Sequence, residues 1–225
     1  MRHRPSQLFL AIVPSVTRLD AQLRSALPAP VRHVLHPLRI LLDPRSPRSS
    51  VRKRRTIRRY ARRFRTPVLV ETGTYRGTTV RAMRRRFEQI YSIELGEELY
   101  ERARRRFADD EHVHILHGDS GELLPALAQR IEEPCLFWLD GHFSDWETAR
   151  GAVDSPLERE IEAVLARTQD GDVVLVDDAR LLTGEQGYPT LDEVRRVVAE
   201  QRPDRVVEVR DDIVRIHARH ELADA

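Results

Sequence analysis

Val68-Leu69-Val70-Glu71-Thr72-Gly73-Thr74-Tyr75-Arg76-Gly77-Thr78-Thr79 decides how this chain is read. An apolar run of strand character ends in a carboxylate, two glycines four apart follow, and a helical pattern begins after the second. A strand that turns this sharply into a helix leaves backbone N–H groups and an acid at its C-terminal edge. In open α/β sheets that edge is where nucleotides bind.

Outward from this stretch the chain alternates strand and helix. The pattern predicts strands over 67–71, 89–94, 112–117, 135–140 and 172–176. Helices are predicted over 77–87, 96–107, 120–131, from Ser155-Pro156-Leu157-Glu158 to about Thr168, and over 190–201. Ser155 offers an N-cap, Pro156 suits a first turn, and Glu158 stands three residues after the serine. Two short strands, 205–209 and 213–217, flank Arg210-Asp211-Asp212 and read as an antiparallel hairpin. Alternation of this kind gives a parallel sheet with helices on both faces. The expected fold class is therefore α/β: a Rossmann-like, doubly wound, seven-stranded and mostly parallel sheet with a C-terminal antiparallel hairpin. Residues 67–225 form this domain. Residues 1–66 form a basic, proline-containing extension with short helices over 15–26 and 31–42, a linker at Ser46–Ser50, and a leading helix over 51–64 that can pack across the sheet domain.

Three carboxylates, Glu71, Glu94 and Asp119, close successive strands. A dinucleotide site usually has a tighter Gly-x-Gly-x-x-Gly loop and no acid facing the pyrophosphate. Here Glu71 leads the Gly73–Gly77 loop; it would repel a pyrophosphate but suits a cationic amino-acid moiety. Glu94 can accept from both hydroxyls of a ribose, and Asp119, followed by Ser120, from an adenine amino group. Glu94 and Asp119 can also be ordinary loop carboxylates or helix caps. The ordered acidic strand ends and the late hairpin resemble class I S-adenosylmethionine (SAM) methyltransferases over residues 67–217. The resemblance implies a cofactor site at Glu71, Gly73, Tyr75, Gly77, Glu94, Asp119, Ser120 and Asp140.

The next two strands end in Leu139-Asp140-Gly141-His142-Phe143 and Val176-Asp177-Asp178. Neighbouring strands would bring Asp140, Asp177 and Asp178 to one edge, where three carboxylates repel unless a cation or proton is shared. Hard oxygen donors at strand ends suit Mg²⁺. These motifs look like the metal-dependent O-methyltransferases related to macrocin O-methyltransferase, which act on sugar hydroxyls. The resemblance implies metal ligation by Asp140, Asp177 and Asp178. That family's second strand-four aspartate, its general base, falls on His142, a departure from the pattern. A neutral imidazole can take a hydroxyl proton near neutral pH, so His142 and Asp140 are the catalytic candidates. The alternatives are that His142 only bonds a loop carbonyl or the cofactor, that Asp177 and Asp178 cap a helix, and that Asp140 serves a metal-free site. Trp138 reads as core. Trp146 reads equally as a contact to acceptor or cofactor and as lid packing, and the loop 145–154 and the segment 181–189 read as cover elements. His112, His114 and His117 read as edge residues rather than ligands.

Charge is segregated. Residues 1–66 hold 17 Lys+Arg against 2 Asp+Glu, while the remainder holds 21 against 34. A basic arm beside an acidic domain points to contact with phosphate, with an anionic membrane or with the domain itself, or serves solubility alone. The single cysteine, Cys135, excludes an internal disulfide framework and a cysteine-rich zinc site. No apolar stretch reaches the roughly 20 residues a membrane span needs, and Leu8–Val13 does not read as a signal peptide. The expected location is cytoplasmic, with peripheral membrane contact through the arm allowed, and a homo-oligomer is compatible with the chain. The leading expectation is O-methylation of a small-molecule or sugar hydroxyl using SAM with Mg²⁺ assistance. The alternatives are a nucleic-acid methyltransferase whose arm binds phosphate and a non-catalytic SAM-binding or tethering protein. No Asn/Asp-Pro-Pro-aromatic tetrapeptide is present, and Cys135 sits inside a strand, which both weigh against the nucleic-acid reading.

Overall fold

The computed structural model describes residues 47–140, 155–167, 169–185 and 187–219. The short helices expected over 15–26 and 31–42 lie outside them. The chain divides into two compact units, Met1–Arg52 and Lys53–Ala225. The sheet belongs to the second.

Seven strands form it: β1 (Val68–Thr72), β2 (Gln89–Glu94), β3 (Val113–His117), β4 (Cys135–Leu139), β5 (Val173–Val176), β6 (Arg205–Arg210) and β7 (Ile213–Ala218). Their order is β3-β2-β1-β4-β5-β7-β6. β1 to β5 pair in parallel, and β7 inserts antiparallel between β5 and β6. The order reverses between β1 and β4, so the crevice beyond their C-terminal ends is the switch point of the sheet. The fold is the seven-stranded sheet with a terminal hairpin that the sequence led us to expect.

The helices are α1 (Pro47–Arg63), α2 (Thr78–Met83), α3 (Glu97–Arg106), α4 (Ser120–Arg130), α5 (Leu157–Leu165) and α6 (Leu191–Gln201). Strand parity sorts the core into two layers. Leu69, Leu136, Trp138, Val173 and Leu175 pack with Ile57, Tyr60, Ala61 and Phe64 of α1 and its exit, Val80 and Met83 of α2, and Ala103 and Phe107 at α3. Val68, Val70, Phe137, Leu139, Val174 and Val176 face the other way, onto Leu124 and Ala128 of α4, Leu157, Ile161 and Val164 of α5, and Val194 and Val198 of α6.

Some local boundaries differ from the sequence reading. Pro47–Ser50, read as linker, is the first turn of α1; proline lacks an N–H that a first turn would not use. The first crossover helix stops at Met83 rather than Phe87. At α5 the cap position falls on Pro156, while Ser155 Oγ accepts from Leu157 N at 3.4 Å. Thr190 and Glu193 form a reciprocal capping box on α6. The hairpin turn is Asp211-Asp212, with φ of 55° and 63°, the two left-handed residues that a two-residue turn requires.

Candidate active site

Glu71, at the end of β1, has Ser92 of β2 as its register partner. Ser92 Oγ donates to Glu71 Oε2 at 2.7 Å and shares a 2.7 Å hydrogen bond with Thr74 Oγ1. Burial comes first in pushing the Glu71 carboxyl up to about 8. Ser92 and Thr79 oppose the shift, and the Asp140 and Glu94 carboxylates add to it. A cationic group brought beside Glu71 would reverse that balance.

The loop after β1 is held by backbone contacts. Gly73 N and Thr74 N both donate to Ile93 O, at 2.9 and 3.2 Å. Gly73, Tyr75 and Gly77 all have positive φ. Glu94 joins two loops: Oε2 accepts from Tyr75 N at 2.7 Å and Oε1 from Gly96 N at 2.9 Å. Each carboxylate oxygen keeps further acceptor capacity, so anchoring these loops is compatible with holding a ribose. Asp119 is the N-cap of α4, its side chain accepting from Gly121 N at 2.8 Å, and Ser120 opens the helix. One of the two readings open for Asp119, the helix cap, is therefore realised.

On the β4–β5 side, register places Asp140 and Asp177 one residue beyond the Leu139–Val176 pair. Asp140 N donates to Thr72 O at 3.2 Å and Asp177 N to Leu139 O at 3.0 Å, which continues the ladder past the strands. By parity Glu71, Asp140 and Asp177 fall on the face covered by α1. Asp140, Asp177 and Asp178 each bring a carboxylate oxygen within 4.8 Å of the others. Asp178 has φ 53° and makes no side-chain cap on the short 3₁₀ turn Ala179–Leu181, so the helix-capping alternative is not realised there. Arg180 holds Asp178 at 2.8 Å and also pairs with Asp212 of the hairpin turn.

Sequence reasoning missed Lys53. Its ammonium pairs with Asp177 and lies 3.5 Å from Asp178 Oδ1. Burial and the Asp140 and Asp178 carboxylates push Asp177 above the usual carboxylate range, against the pull of Lys53. Burial works against the charge on Lys53, yet Asp177, Asp140 and Asp178 hold its pKa above the ordinary lysine value. A signal was available: Lys53 is the single lysine among 38 basic residues. The three carboxylates suit a hard divalent cation in kind and spacing, but the ammonium already occupies their common ground. With Lys53 in place the residues do not also fit Mg²⁺.

Glu160 was missed too. It lies on the buried face of α5 with Leu157, Ile161, Val164 and Leu165. An acid on an apolar helix face was its sequence signal. Its polar neighbours are Ser120 and Thr72; burial, then Asp119 and Asp140, bring it to about 7. Glu160, Asp140, Asp177 and Tyr188 line one small cavity of about 20 Å³. A wider hollow of about 870 Å³ lies at the opposite end of the strands, around Arg167, Asp170, Arg202 and Arg219, away from the acidic edge.

His142, Trp146 and the loop 145–154 lie outside the described residues. Cys135 is buried, and burial pushes its thiol up to about 12, which leaves it inert as a nucleophile. His112, His114 and His117 bond Arg84 O, Gln89 Oε1 and Leu95 O respectively. They are bonded edge residues, as read from the sequence.

No family model matches this chain, and no curated protein matches it. Solved structures do. The SAH-bound methyltransferase PaMTH1 of Podospora anserina aligns over 98% of this chain and 100% of its own, with TM-score 0.55 and 16% identity. An O-methyltransferase of Bacillus cereus in complex with SAH aligns over 88% and 96%, with TM-score 0.54 and 15% identity. The O-methyltransferase TomG of Streptomyces achromogenes, involved in tomaymycin synthesis and solved with SAM, aligns over 73% and 78%, with TM-score 0.52 and 20% identity. At these identities the likeness is one of fold, and the fold of this chain is that of the class I methyltransferases.

Proposed function

We propose that this chain is a SAM-dependent methyltransferase that methylates a hydroxyl of a small molecule or sugar. One observation carries the reading: Glu71 and Glu94 close the adjacent strands β1 and β2, and Asp140 and Asp177 follow the adjacent strands β4 and β5, so the Gly73–Gly77 loop and the Asp140–Asp177–Asp178 edge border the switch point from either side. A cationic cofactor and a polyhydroxylated acceptor would there lie side by side. SAM, when bound, supplies the methyl group by direct displacement at its sulfonium. Glu71 balances the positive charge of its amino-acid end, Glu94 accepts from its ribose, and Asp119 with Ser120 borders its adenine. Asp140 stands between this half and the acceptor half. His142, two residues on, is expected to take the hydroxyl proton as the oxygen–carbon bond forms. The rate gain comes from alignment of the two reactants and exclusion of water. Mg²⁺ assistance, expected from the sequence, has no part in this reading, because Lys53 occupies the carboxylates that would hold the ion.

Calorimetry with SAM and SAH, followed by a methyl-transfer assay across sugar and phenol acceptors, tests the reading. Micromolar binding with turnover on an alcohol supports it; no binding of either ligand at millimolar concentration ends it.

A nucleic-acid or membrane partner rests on a separate observation. Arg55, Arg58, Arg59, Arg62 and Arg63 are all carried by α1, and Arg55, Arg58, Arg59, Arg62 and Arg63 form a basic surface suited to phosphate. Its mark would be binding to polyanions that weakens steeply with salt.

A further inference from the structure

We infer that the Lys53 ammonium is the resident cation of the Asp140–Asp177–Asp178 edge, standing where a divalent ion would otherwise be held. For catalysis this rests on the reading above; for cation binding it stands by itself.

Three observations point the same way. The first is placement. Lys53 is carried by α1, which covers the face of the sheet onto which Asp140 and Asp177 project, and its ammonium lies against both Asp177 and Asp178. The Asp177 side chain is 1% exposed and that of Lys53 23%, so the lysine lies on the solvent side of the buried acid. The second is residue choice. Of 38 basic residues, 37 are arginine. Arginine is a planar fork with five donors, whereas lysine is a compact charge with three. Three carboxylate oxygens within 4.8 Å of one another leave room for the compact charge. The third is exclusion. Mg²⁺ demands near-octahedral oxygen coordination at close range, and an ammonium bonded to Asp177 both takes up that oxygen and repels a second cation.

Lys53 is thus a positioning residue. It keeps three mutually repelling carboxylates together and presents a fixed positive charge where the acceptor's oxygens arrive, without a metal.

The single lysine makes the test direct. Protein labelled with ¹⁵N only at lysine gives one side-chain ammonium resonance, that of Lys53. The wild-type resonance is expected to be protected from solvent, to move on Asp177→Asn, and to stay in place through millimolar Mg²⁺. Mn²⁺ binding, read by electron paramagnetic resonance, is expected to be at least about tenfold tighter in Lys53→Met than in wild type, since removing a positive charge strengthens a carboxylate cation site. If Lys53→Met does not fold, Lys53→Gln serves the same comparison. A wild-type resonance that shifts to the position of free lysine with Mg²⁺, or equal Mn²⁺ affinity in wild type and variant, overturns the inference. SAH calorimetry on the wild type separates the two readings: absent SAH binding there refutes the methyltransferase proposal and leaves the cation result standing.

Discussion

Glu71 and Glu160 are carboxyls with little water around them, and burial is the first cause of their raised values, about 8 and about 7. In the unfolded chain such groups ionise near 4.5. Between that value and their folded ones the native state holds more protons than the unfolded state, so stability falls as pH rises through this window. Glu160→Gln removes the ionisation while keeping the shape. It is expected to leave the melting temperature at pH 5 nearly unchanged and to stabilise the apoprotein at pH 8 by about 1–3 kcal/mol. Equal shifts at both pH values would show that Glu160 does not titrate in this window. Glu94 tests the cofactor half of the site, because its oxygens anchor Tyr75 N and Gly96 N. Glu94→Gln keeps the size but replaces one acceptor by a donor that must face an N–H. SAH affinity should fall by about 1.5–3 kcal/mol, roughly ten- to a hundredfold by calorimetry. Unchanged affinity would leave Glu94 as a loop anchor alone.

The β1–α2 turn is the element on which both halves of the site depend, and Gly77 shows why it is built as it is. Its φ is 62°, and a Cβ there would lie 2.8 Å from Phe107 Cε2. Gly77→Ala therefore combines a disfavoured backbone with a core clash, and should cost about 1–3 kcal/mol in urea unfolding; a loss below a few tenths would mean that Phe107 moves freely aside. This turn was legible in the sequence because a carboxylate interrupts an apolar run and glycines mark the positive-φ positions. The strand tips Glu94, Asp140 and Asp177 were legible for the first of those reasons. The hairpin was legible from two aspartates between alternating apolar residues. The cation between the tips was not, because Lys53 precedes Asp177 by more than a hundred residues and no local pattern joins them. Glu160 stood in plain view as an acid on an apolar helix face, but its polar neighbours Thr72 and Ser120 come from other elements. Pro47–Ser50 was misread because proline and serine suggest a linker, although both are at home in a first helical turn.

Across the whole molecule, the face of the sheet that carries Glu71 and Asp140 is covered by α1, α2 and α3. Ile57 and Tyr60 of α1, 0% and 2% exposed, close the part of that face over β4, β5 and β7. Ile57→Ala should destabilise the protein by about 2–5 kcal/mol. Since α1 also carries Lys53, the same substitution should loosen the Lys53 resonance towards a solvent-exposed position. A stability loss with that resonance unmoved would show that helix packing and cation placement are independent. The sheet order has a temporal side as well. β7 inserts beside β5, and its turn grips the residues after Asp178: Ala179 N donates to Asp212 O at 3.0 Å, and Arg180 pairs with Asp212. During synthesis the acidic edge therefore waits for the final strand pair to emerge from the ribosome, and a nascent chain stalled before residue 213 has an unfinished sheet in which nothing yet braces the backbone beyond Asp178.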